Sequence, residues 1–276
     1  MRILGHLGLE YETQGEGENV LLIHGSHIAD SFLPWSKEPA LAGYHVIRYH
    51  RRGFAGSRAI SAPYSIENQA HDALKLLNHL GVSRTHVIGH SYGGAIALQL
   101  AIDAADVVHS LVLLEPALMM VPSAPMFFEA MAPAMTRFAS GDTDGAVDAF
   151  NQLLAGPQWR EELERAVPGA PQQAIRDGAT FFEVEVPALQ KWVFDETQAA
   201  RISQPVLYML GAGSPVLFDE GRQLLRSWLP QTEDVVIPAT DHRLQMQTPG
   251  LTAQAVAGFL HRVESPRGLG RSHTPS

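Results

Sequence analysis

The strongest chemical signal in this sequence is a serine that lies between closely spaced glycines. Ser91 occurs in Gly89-His90-Ser91-Tyr92-Gly93-Gly94, which matches the G-x-S-x-G pattern of a nucleophile on a sharp strand-to-helix turn. The glycines suit such a turn because side chains beside the serine would clash with the neighbouring strand and helix. An apolar run precedes the motif, and an alanine- and leucine-rich run follows it. The context therefore predicts an exposed hydroxyl at the start of a helix, where N–H groups and the helix dipole favour an oxyanion.

The elements that would hold this serine follow from hydrophobic periodicity. Short apolar runs alternate with helical patterns, which is typical of a mostly parallel sheet flanked by helices. The runs that predict strands are 20–23, 44–49, 85–88, 107–114, 205–210 and 234–237. Ser65 is a good N-cap, and Gly81 a good stop, for a helix between the second and the third of these strands.

The middle of the chain shows a different pattern. From about Ala117 to Arg201 it contains helix-like segments broken by glycine and proline. One segment runs from Pro125 to Phe138. Another runs from Asp144 to Leu154, with Thr143 and Asp144 as capping residues.

This change of pattern divides the chain into regions. Residues 1–116 and 202–263 are predicted to form the α/β core, and residues 117–201 a helical cap inserted into it. The tail, 264–276, is rich in glycine and proline and is predicted to be disordered.

Composition excludes several classes of function. Hydrophobic residues make up 45% of the chain and charged residues 18%, as in an ordinary globular protein. The chain has no cysteine, so thiol nucleophiles and cysteine-ligated metals are excluded. The net charge of −9 argues against a nucleic-acid partner. Neither a signal-peptide core nor a membrane-spanning apolar stretch is found, so a cytoplasmic protein without a membrane partner is expected. Its expected oligomeric state is a monomer or a homodimer.

From about Leu9 to Val263 the chain resembles the α/β-hydrolase superfamily. The matching pieces, in chain order, are Leu22-Ile23-His24-Gly25, Arg52-Gly53-Phe54-Ala55-Gly56-Ser57, the motif around Ser91, and Asp241-His242. The second piece is usually R-G-x-G-x-S, and here Ala55 replaces its middle glycine. The resemblance implies an α/β-hydrolase fold, with a mostly parallel eight-stranded sheet flanked by helices and a helical cap insertion.

The resemblance also implies roles for residues around Ser91. The superfamily places its catalytic histidine on the loop after the final strand, where this chain has His242, and a near-neutral imidazole can act as general base. By the same match, the backbone N–H groups of Ser26 and Tyr92 are the oxyanion-hole donors. His27 could reach the pocket and touch substrate, and the alternative is a surface loop histidine.

The acid of the triad is the least determined member. The superfamily usually carries it a few residues past the next-to-last strand, and here that position is Ser214, which cannot hold an imidazolium by charge. We favour Glu115, since a carboxylate directly after an apolar strand is costly to bury without a partner, and a histidine would be that partner. The alternatives are that Glu115 caps the hinge beside Pro116, or that Asp219 or Glu220 supplies the carboxylate.

The predicted cap is rich in methionine, phenylalanine and tryptophan. Most of these side chains are expected to pack helices together, while a minority face Ser91 and form an adaptable apolar pocket. Phe127, Phe128 and Trp192 are the predicted substrate-binding residues. A small or medium uncharged molecule is therefore the expected partner.

Together these patterns predict a serine hydrolase that cleaves a carboxylic ester, lactone or related acyl bond through an acyl-enzyme. The reaction needs no cofactor and no metal. Alternatives with the same triad are carbon–carbon bond hydrolysis, perhydrolysis and acyl transfer. Haloalkane dehalogenation and epoxide hydrolysis are disfavoured, since those covalent mechanisms need an aspartate where this chain has Ser91. A ligand-binding protein that kept the fold and lost the reaction is the alternative from another class.

Overall fold

One mixed sheet organises the molecule. The computed structural model describes residues 1–5 and 7–265, and over these residues eight strands pair in the order β1-β2-β4-β3-β5-β6-β7-β8. The strands are β1 Arg2–Leu4, β2 Leu9–Gln14, β3 Glu18–Ile23, β4 Tyr44–His50, β5 Thr85–His90, β6 Val108–Leu114, β7 Val206–Gly211 and β8 Thr232–Ile237. β2 runs antiparallel to both β1 and β4, and the other neighbouring pairs are parallel. The expected mostly parallel eight-stranded sheet is confirmed.

The central strands form from apolar runs because helices cover the sheet on both faces. β5 and β7 are buried along their whole length, as expected for parallel strands in the middle of such a sheet. β2, nearer the edge, alternates between buried and partly exposed residues. The sequence patterns did not single out β1 or β2, because a three-residue edge strand and a half-polar strand beside it give a weak periodic signal.

Helices connect the parallel strands and lie on both faces of the sheet. They are α1 Ile66–His79, α2 Tyr92–Asp103, α3 Ala124–Ala139, α4 Thr143–Ala155, α5 Trp159–Ala166, α6 Ala170–Arg176, α7 Val186–Lys191, α8 Glu196–Ala199, α9 Val216–Trp228, α10 Leu244–Gln247 and α11 Pro249–Glu264. Short 3₁₀ turns span Trp35–Lys37 and Pro39–Leu41, and a π-helical turn spans Thr180–Glu185.

Capping residues explain where two of these helices begin. The Ser65 side chain accepts a hydrogen bond from the Asn68 N–H, so α1 begins where the sequence predicts. α4 differs, because its cap is Asp142, whose carboxylate accepts a hydrogen bond from the Gly145 N–H at 2.9 Å. The predicted cap, Thr143, is therefore already the first helical residue.

Between β6 and β7 the chain, all of it described, is helical from α3 to α8 and contains no strand. We call this segment the inserted helices. They have an apolar cluster of their own, which includes Phe150, Phe181 and Phe182 and reaches Ile28 and Met246 of the sheet region. This cluster holds the inserted helices against the rest of the molecule.

The predicted disordered tail lies mostly outside the described residues. Its first member, Glu264, is the last residue of α11, and residues 266–276 are not described. Among the described residues, no helix combines the length and the apolar character needed to cross a membrane.

Candidate active site

Ser91 lies on the turn that joins β5 to α2. Its backbone adopts φ 53° and ψ −120°, a conformation that residues with a side chain rarely take and that often marks a functional position. The Ser91 N–H donates to the carbonyl of Leu114 at the end of β6, at 2.9 Å. The strained turn is therefore tied to the neighbouring strand.

The glycines beside Ser91 are required by the space around them. A Cβ atom at Gly89 would lie 2.3 Å from the carbonyl oxygen of Gly93, and one at Gly93 would lie 2.2 Å from that of Ile23. Both distances are far too short for real contacts. The G-x-S-x-G spacing thus lets α2 start directly against the sheet, as the sequence predicts.

His242 lies on the loop between β8 and α10, where its ring is held from two sides. The ring stacks on Phe218 with centroids 4.2 Å apart and planes 12° apart, and it lies 4.7 Å from the ring of His90. The His90 Nε2–H donates to the His242 carbonyl oxygen at 2.8 Å. His90 therefore supports the His242 backbone from below the serine turn.

The carboxylate that meets His242 is that of Glu115. Its Oε2 lies 2.6 Å from His242 Nδ1, while Oε1 accepts a hydrogen bond from the Gly211 N–H at 2.6 Å. The side chain is fully buried, and the backbone has a positive φ of 47°, which turns the residue out of the end of β6. Glu115 is thus held by one backbone donor and by the histidine.

The other carboxylates considered from the sequence have different partners. Asp219 binds Arg222 on the outer side of α9 at 2.8 Å, and Glu220 accepts from the Ser123 N–H at 2.8 Å. Asp241 pairs with Arg243 at 2.6 Å. Ser214, at the position where the superfamily usually has its acid, has a buried hydroxyl without a partner among the described residues.

The two predicted oxyanion-hole residues, Ser26 and Tyr92, both line the cavity that contains Ser91. Tyr92 is the first residue of α2, so its N–H has no acceptor within the helix. Gly25, the residue before Ser26, packs closely against Ser91, since a Cβ atom at Gly25 would lie 3.1 Å from Ser91 Cβ.

Three histidines near the turn are uncharged at neutral pH. Burial lowers the pKa of His24 and of His90 well below 6.5, and it lowers the pKa of His27 to about 3. His24 is also satisfied as a neutral ring, since Nδ1 bonds to the Gly25 carbonyl and Nε2 accepts from the Arg51 N–H at 2.9 Å. These rings support the site without adding charge to it.

The structure does not bring His27 to the cavity wall, nor does it leave it on the surface. The ring is 1% exposed and lies 3.2 Å from the Asn151 amide nitrogen. It packs at 4.4 Å from the ring of Phe181 and at 5.1 Å from that of Phe150. The aromatic cluster of the inserted helices takes up this side chain, which sequence proximity to Ser26 could not reveal.

A cavity of about 470 Å³, open solvent at its mouth included, lies between the carboxyl ends of the strands and the inserted helices. Its lining residues are Ser26, Ser91, Tyr92, Ala117, Met119, Phe127, Phe128, Met131, Phe150, Leu154, Phe181, Glu185, Val186, Leu189, Leu217, Phe218 and His242. Ser91 and His242 therefore share one mostly apolar chamber, and Phe127 and Phe128 are in its wall.

Trp192 is not in that wall. Its indole N–H donates to the Gln99 side-chain oxygen at 2.8 Å, and its ring stacks on Phe194 with centroids 5.1 Å apart. A buried indole needs a partner for its N–H, and Gln99 on α2 supplies one. Trp192 thus anchors the end of the inserted helices to the core.

Sequence reasoning missed two lining residues with distinctive chemistry. Phe218 supports the His242 ring, and Glu185 brings a fully buried carboxylate to the cavity. The available signal for Glu185 was its place in the mostly apolar run Phe181–Pro187, where an acid that becomes buried needs a partner. Within residues 1–5 and 7–265, no group of three or more His, Asp or Glu side chains could hold a metal ion.

Known proteins resemble this chain in sequence and in fold. A family model described as the alpha/beta hydrolase fold matches residues 18–249. A candidate carbamate hydrolase, RutD, of Variovorax paradoxus is 39% identical over 111 residues, which are 38% of this chain and 41% of that protein. A fluoroacetate dehalogenase of Burkholderia sp. is 32% identical over 133 residues, 46% of this chain and 42% of that protein. The matched segment thus spans about two fifths of these relatives.

Solved structures match over almost the whole chain. A thermophilic esterase from Thermogutta terrifontis has a TM-score of 0.75 at 24% identity, covering 93% of this chain and 94% of its own. The enol-lactonase from Burkholderia xenovorans LB400 has a TM-score of 0.75 at 20% identity, covering 92% and 96%. At these identities the likeness is one of fold.

Proposed function

Because this chain belongs to the alpha/beta hydrolase fold family, whose model matches residues 18–249, we propose that it is a serine hydrolase. It cleaves a carboxylic ester, lactone or related acyl bond of a small apolar substrate through an acyl-enzyme. The observation that carries this proposal is the 2.6 Å contact between Glu115 and His242, in a site where His242 and Ser91 line one cavity.

The contact assigns a role to each ring nitrogen of His242. Glu115 engages Nδ1, so Nε2 takes the proton of the Ser91 hydroxyl as that oxygen attacks the substrate carbonyl. The N–H groups of Ser26 and Tyr92 stabilise the oxyanion. His242 then gives the proton to the leaving oxygen, which departs as an alcohol. Water, deprotonated by the same nitrogen, attacks the acyl-serine and releases the acid.

The cavity supports an uncharged acyl group. Most of its lining residues are apolar, and the set, all within the described chain, includes no Lys or Arg. Carbon–carbon bond hydrolysis, perhydrolysis and acyl transfer would use the same Ser91, His242 and Glu115, and product analysis separates them. The dehalogenase among the relatives brings no second candidate, since that covalent mechanism requires an aspartate at the position of Ser91.

A fluorophosphonate probe tests for an activated nucleophile and separates an enzyme from a binding protein of the same fold. We expect intact-protein mass spectrometry to find one adduct on wild type and none on Ser91→Ala, because the probe reacts with a serine whose proton a base removes. Ser26→Ala is the matched control, since it removes a hydroxyl from the same cavity and keeps the backbone N–H. Equal labelling of wild type and Ser91→Ala, or no labelling of wild type, would contradict the proposal.

Shortening the phenylalanines of the cavity wall should change acyl-chain preference. Phe127→Ala and Phe128→Ala open space next to Ser91, and each additional buried methylene contributes about 0.8 kcal/mol, or about fourfold in kcat/KM. We therefore expect the octanoate-to-butanoate ratio of p-nitrophenyl esters to rise severalfold in either variant. Trp192→Ala is the control outside the wall, expected to lower the melting temperature and to leave this ratio unchanged. A shift in Trp192→Ala alone would refute the assignment of the wall.

A further inference from the structure

One residue that lines the chamber has a buried carboxylate that takes no part in the proposed chemistry. Glu185 ends the π-helical turn Thr180–Glu185, is fully buried and lines the cavity that contains Ser91 and His242. Its side chain comes from the inserted helices, whereas the three proposed catalytic residues, Ser91, His242 and Glu115, come from the sheet region. A π-helical turn of this kind often occurs at a functional site.

One oxygen of this carboxylate is paired with an arginine. Glu185 Oε1 accepts a hydrogen bond from Arg51 Nη1 at 2.5 Å. Three further Arg51 N–H groups have acceptors: Nε donates to the His24 carbonyl at 3.0 Å, one Nη2 N–H to the Gly25 carbonyl at 2.8 Å, and Nη1 also to Gln69 at 2.6 Å. Because these contacts hold the guanidinium in place, Arg51 is not free to turn towards the second carboxylate oxygen.

That second oxygen, Oε2, is buried and has no hydrogen-bond partner among the described residues. A buried polar atom in this state is rare, because it has lost its water without gaining a donor. The nearby Tyr92 hydroxyl accepts from the Gln69 amide at 3.2 Å, and its own O–H makes no hydrogen bond to Oε2. Since no donor of the described residues bonds to Oε2, a group from outside them can complete the hydrogen bonding of Glu185.

We propose that Glu185 is a specificity-determining residue whose free oxygen accepts a hydrogen bond from a neutral N–H or O–H group on the acyl part of the substrate. This inference rests on the proposed serine hydrolase function and narrows its substrate class to acyl compounds that carry such a donor. Arg51 already balances the charge of Glu185, so a neutral donor completes the site without adding net charge.

An unpaired acceptor at Glu185 would let the enzyme distinguish substrates that have a hydrogen-bond donor from substrates that lack one. A site built to accept a hydrogen bond rejects an analogue that lacks the donor, because the buried acceptor then stays unpaired. A purely structural Glu185 would instead hold Arg51 and the chain before Ser26. Its loss would then slow the turnover of all substrates alike. The ratio of two matched substrates distinguishes these roles.

The test uses two pairs of p-nitrophenyl esters. In the first pair, N-acetylglycinate has an N–H where 4-oxopentanoate has a CH₂. In the second, 3-hydroxybutanoate has a hydroxyl where 3-methylbutanoate has a methyl. For wild type we expect kcat/KM to favour the donor in at least one pair by about 10–100-fold. In Glu185→Gln the N–H preference should fall to about one or below, since the glutamine NH₂ presents donors where Oε2 accepted.

Glu183→Gln is the matched control, because it makes the same charge change on the same turn at an exposed position and should keep the wild-type ratios. Ratios near one in wild type, or a preference that persists in Glu185→Gln, would overturn the inference. Equilibrium binding of ethyl N-acetylglycinate and ethyl 4-oxopentanoate to Ser91→Ala measures the preference for the N–H donor without turnover, as the ratio of the two dissociation constants. If wild type hydrolyses none of the esters through Ser91, the proposed function fails, and this binding ratio still decides the role of Glu185.

Discussion

Ser91→Ala is expected to lower kcat on p-nitrophenyl butanoate by about 10⁴–10⁶-fold, and His242→Ala by a similar factor. The reason is that an attacking oxygen and its base act as one unit, so that removing either leaves only the contribution of binding and the oxyanion donors. Steady-state kinetics on purified variants, with circular dichroism to verify folding, measures this loss.

The double variant sharpens this test. If Ser91 and His242 work together, Ser91→Ala/His242→Ala should lose little more than either single variant, instead of the product of the two losses. Ser26→Ala should stay within a fewfold of wild type, since its proposed contribution is a backbone N–H. Turnover near wild type in either single variant would refute the assignment.

Glu115→Gln is expected to lower kcat by about 10⁴-fold, as loss of the acid does in a well-studied serine protease. The glutamine can still accept from the Gly211 N–H through its oxygen, which directs its NH₂ group at His242 Nδ1. That contact favours the histidine tautomer with its proton on Nε2, the nitrogen that must accept the serine proton. The substitution therefore disables the base while preserving the shape of the site.

Asp219→Asn is the matched control for this variant. Asp219 lies on the outer side of α9 and pairs with Arg222, so its amide should leave kcat within about twofold of wild type, as for most surface changes. The two variants should also unfold at similar temperatures. If Asp219→Asn lost activity and Glu115→Gln kept it, Glu115 would not be the acid.

The sequence alone predicted the central strands of the sheet, because the burial of a strand is visible in the hydrophobicity of its own residues. A strand buried on both faces is mostly apolar, so β3, β5, β6 and β7 contain short apolar runs, whereas β4 mixes apolar residues with His45, Arg48 and His50. The turn at Ser91 could also be predicted from the sequence, since only glycine fits at positions 89 and 93 beside it. The edge strand β1 and its neighbour β2 were not singled out, because β1 has only three residues and β2 is half polar, with the sequence Leu-Glu-Tyr-Glu-Thr-Gln.

The acid shows where local information ends. A carboxylate directly after an apolar strand marked Glu115 as a residue that needs a partner, yet Asp219 and Glu220 stayed open. The contact that distinguishes them joins Glu115 to a histidine 127 positions away, across the ends of separate strands. No periodicity in the sequence encodes that pairing.

The inserted helices make the same point for substrate-facing residues. Phe127 and Trp192 have similar apolar character in the sequence, but one lines the cavity and the other donates to Gln99. His27 follows directly after Ser26, yet the aromatic rings of α4 and the π-helical turn enclose it. Which face of a helix meets the cavity depends on how whole helices pack.

By itself, the sequence determined the sheet, the strained serine turn and the candidate set for the base and the acid. These depend on short-range sterics and on burial, which neighbouring residues express directly. The tertiary structure alone decided that Glu115 meets His242, and that Glu185 reaches the cavity with one oxygen held by Arg51 and the other unpaired. Such contacts join residues far apart in the chain. The order of the strands in the sheet brings Glu115 to His242, and the packing of the inserted helices against the sheet region brings Glu185 to Arg51.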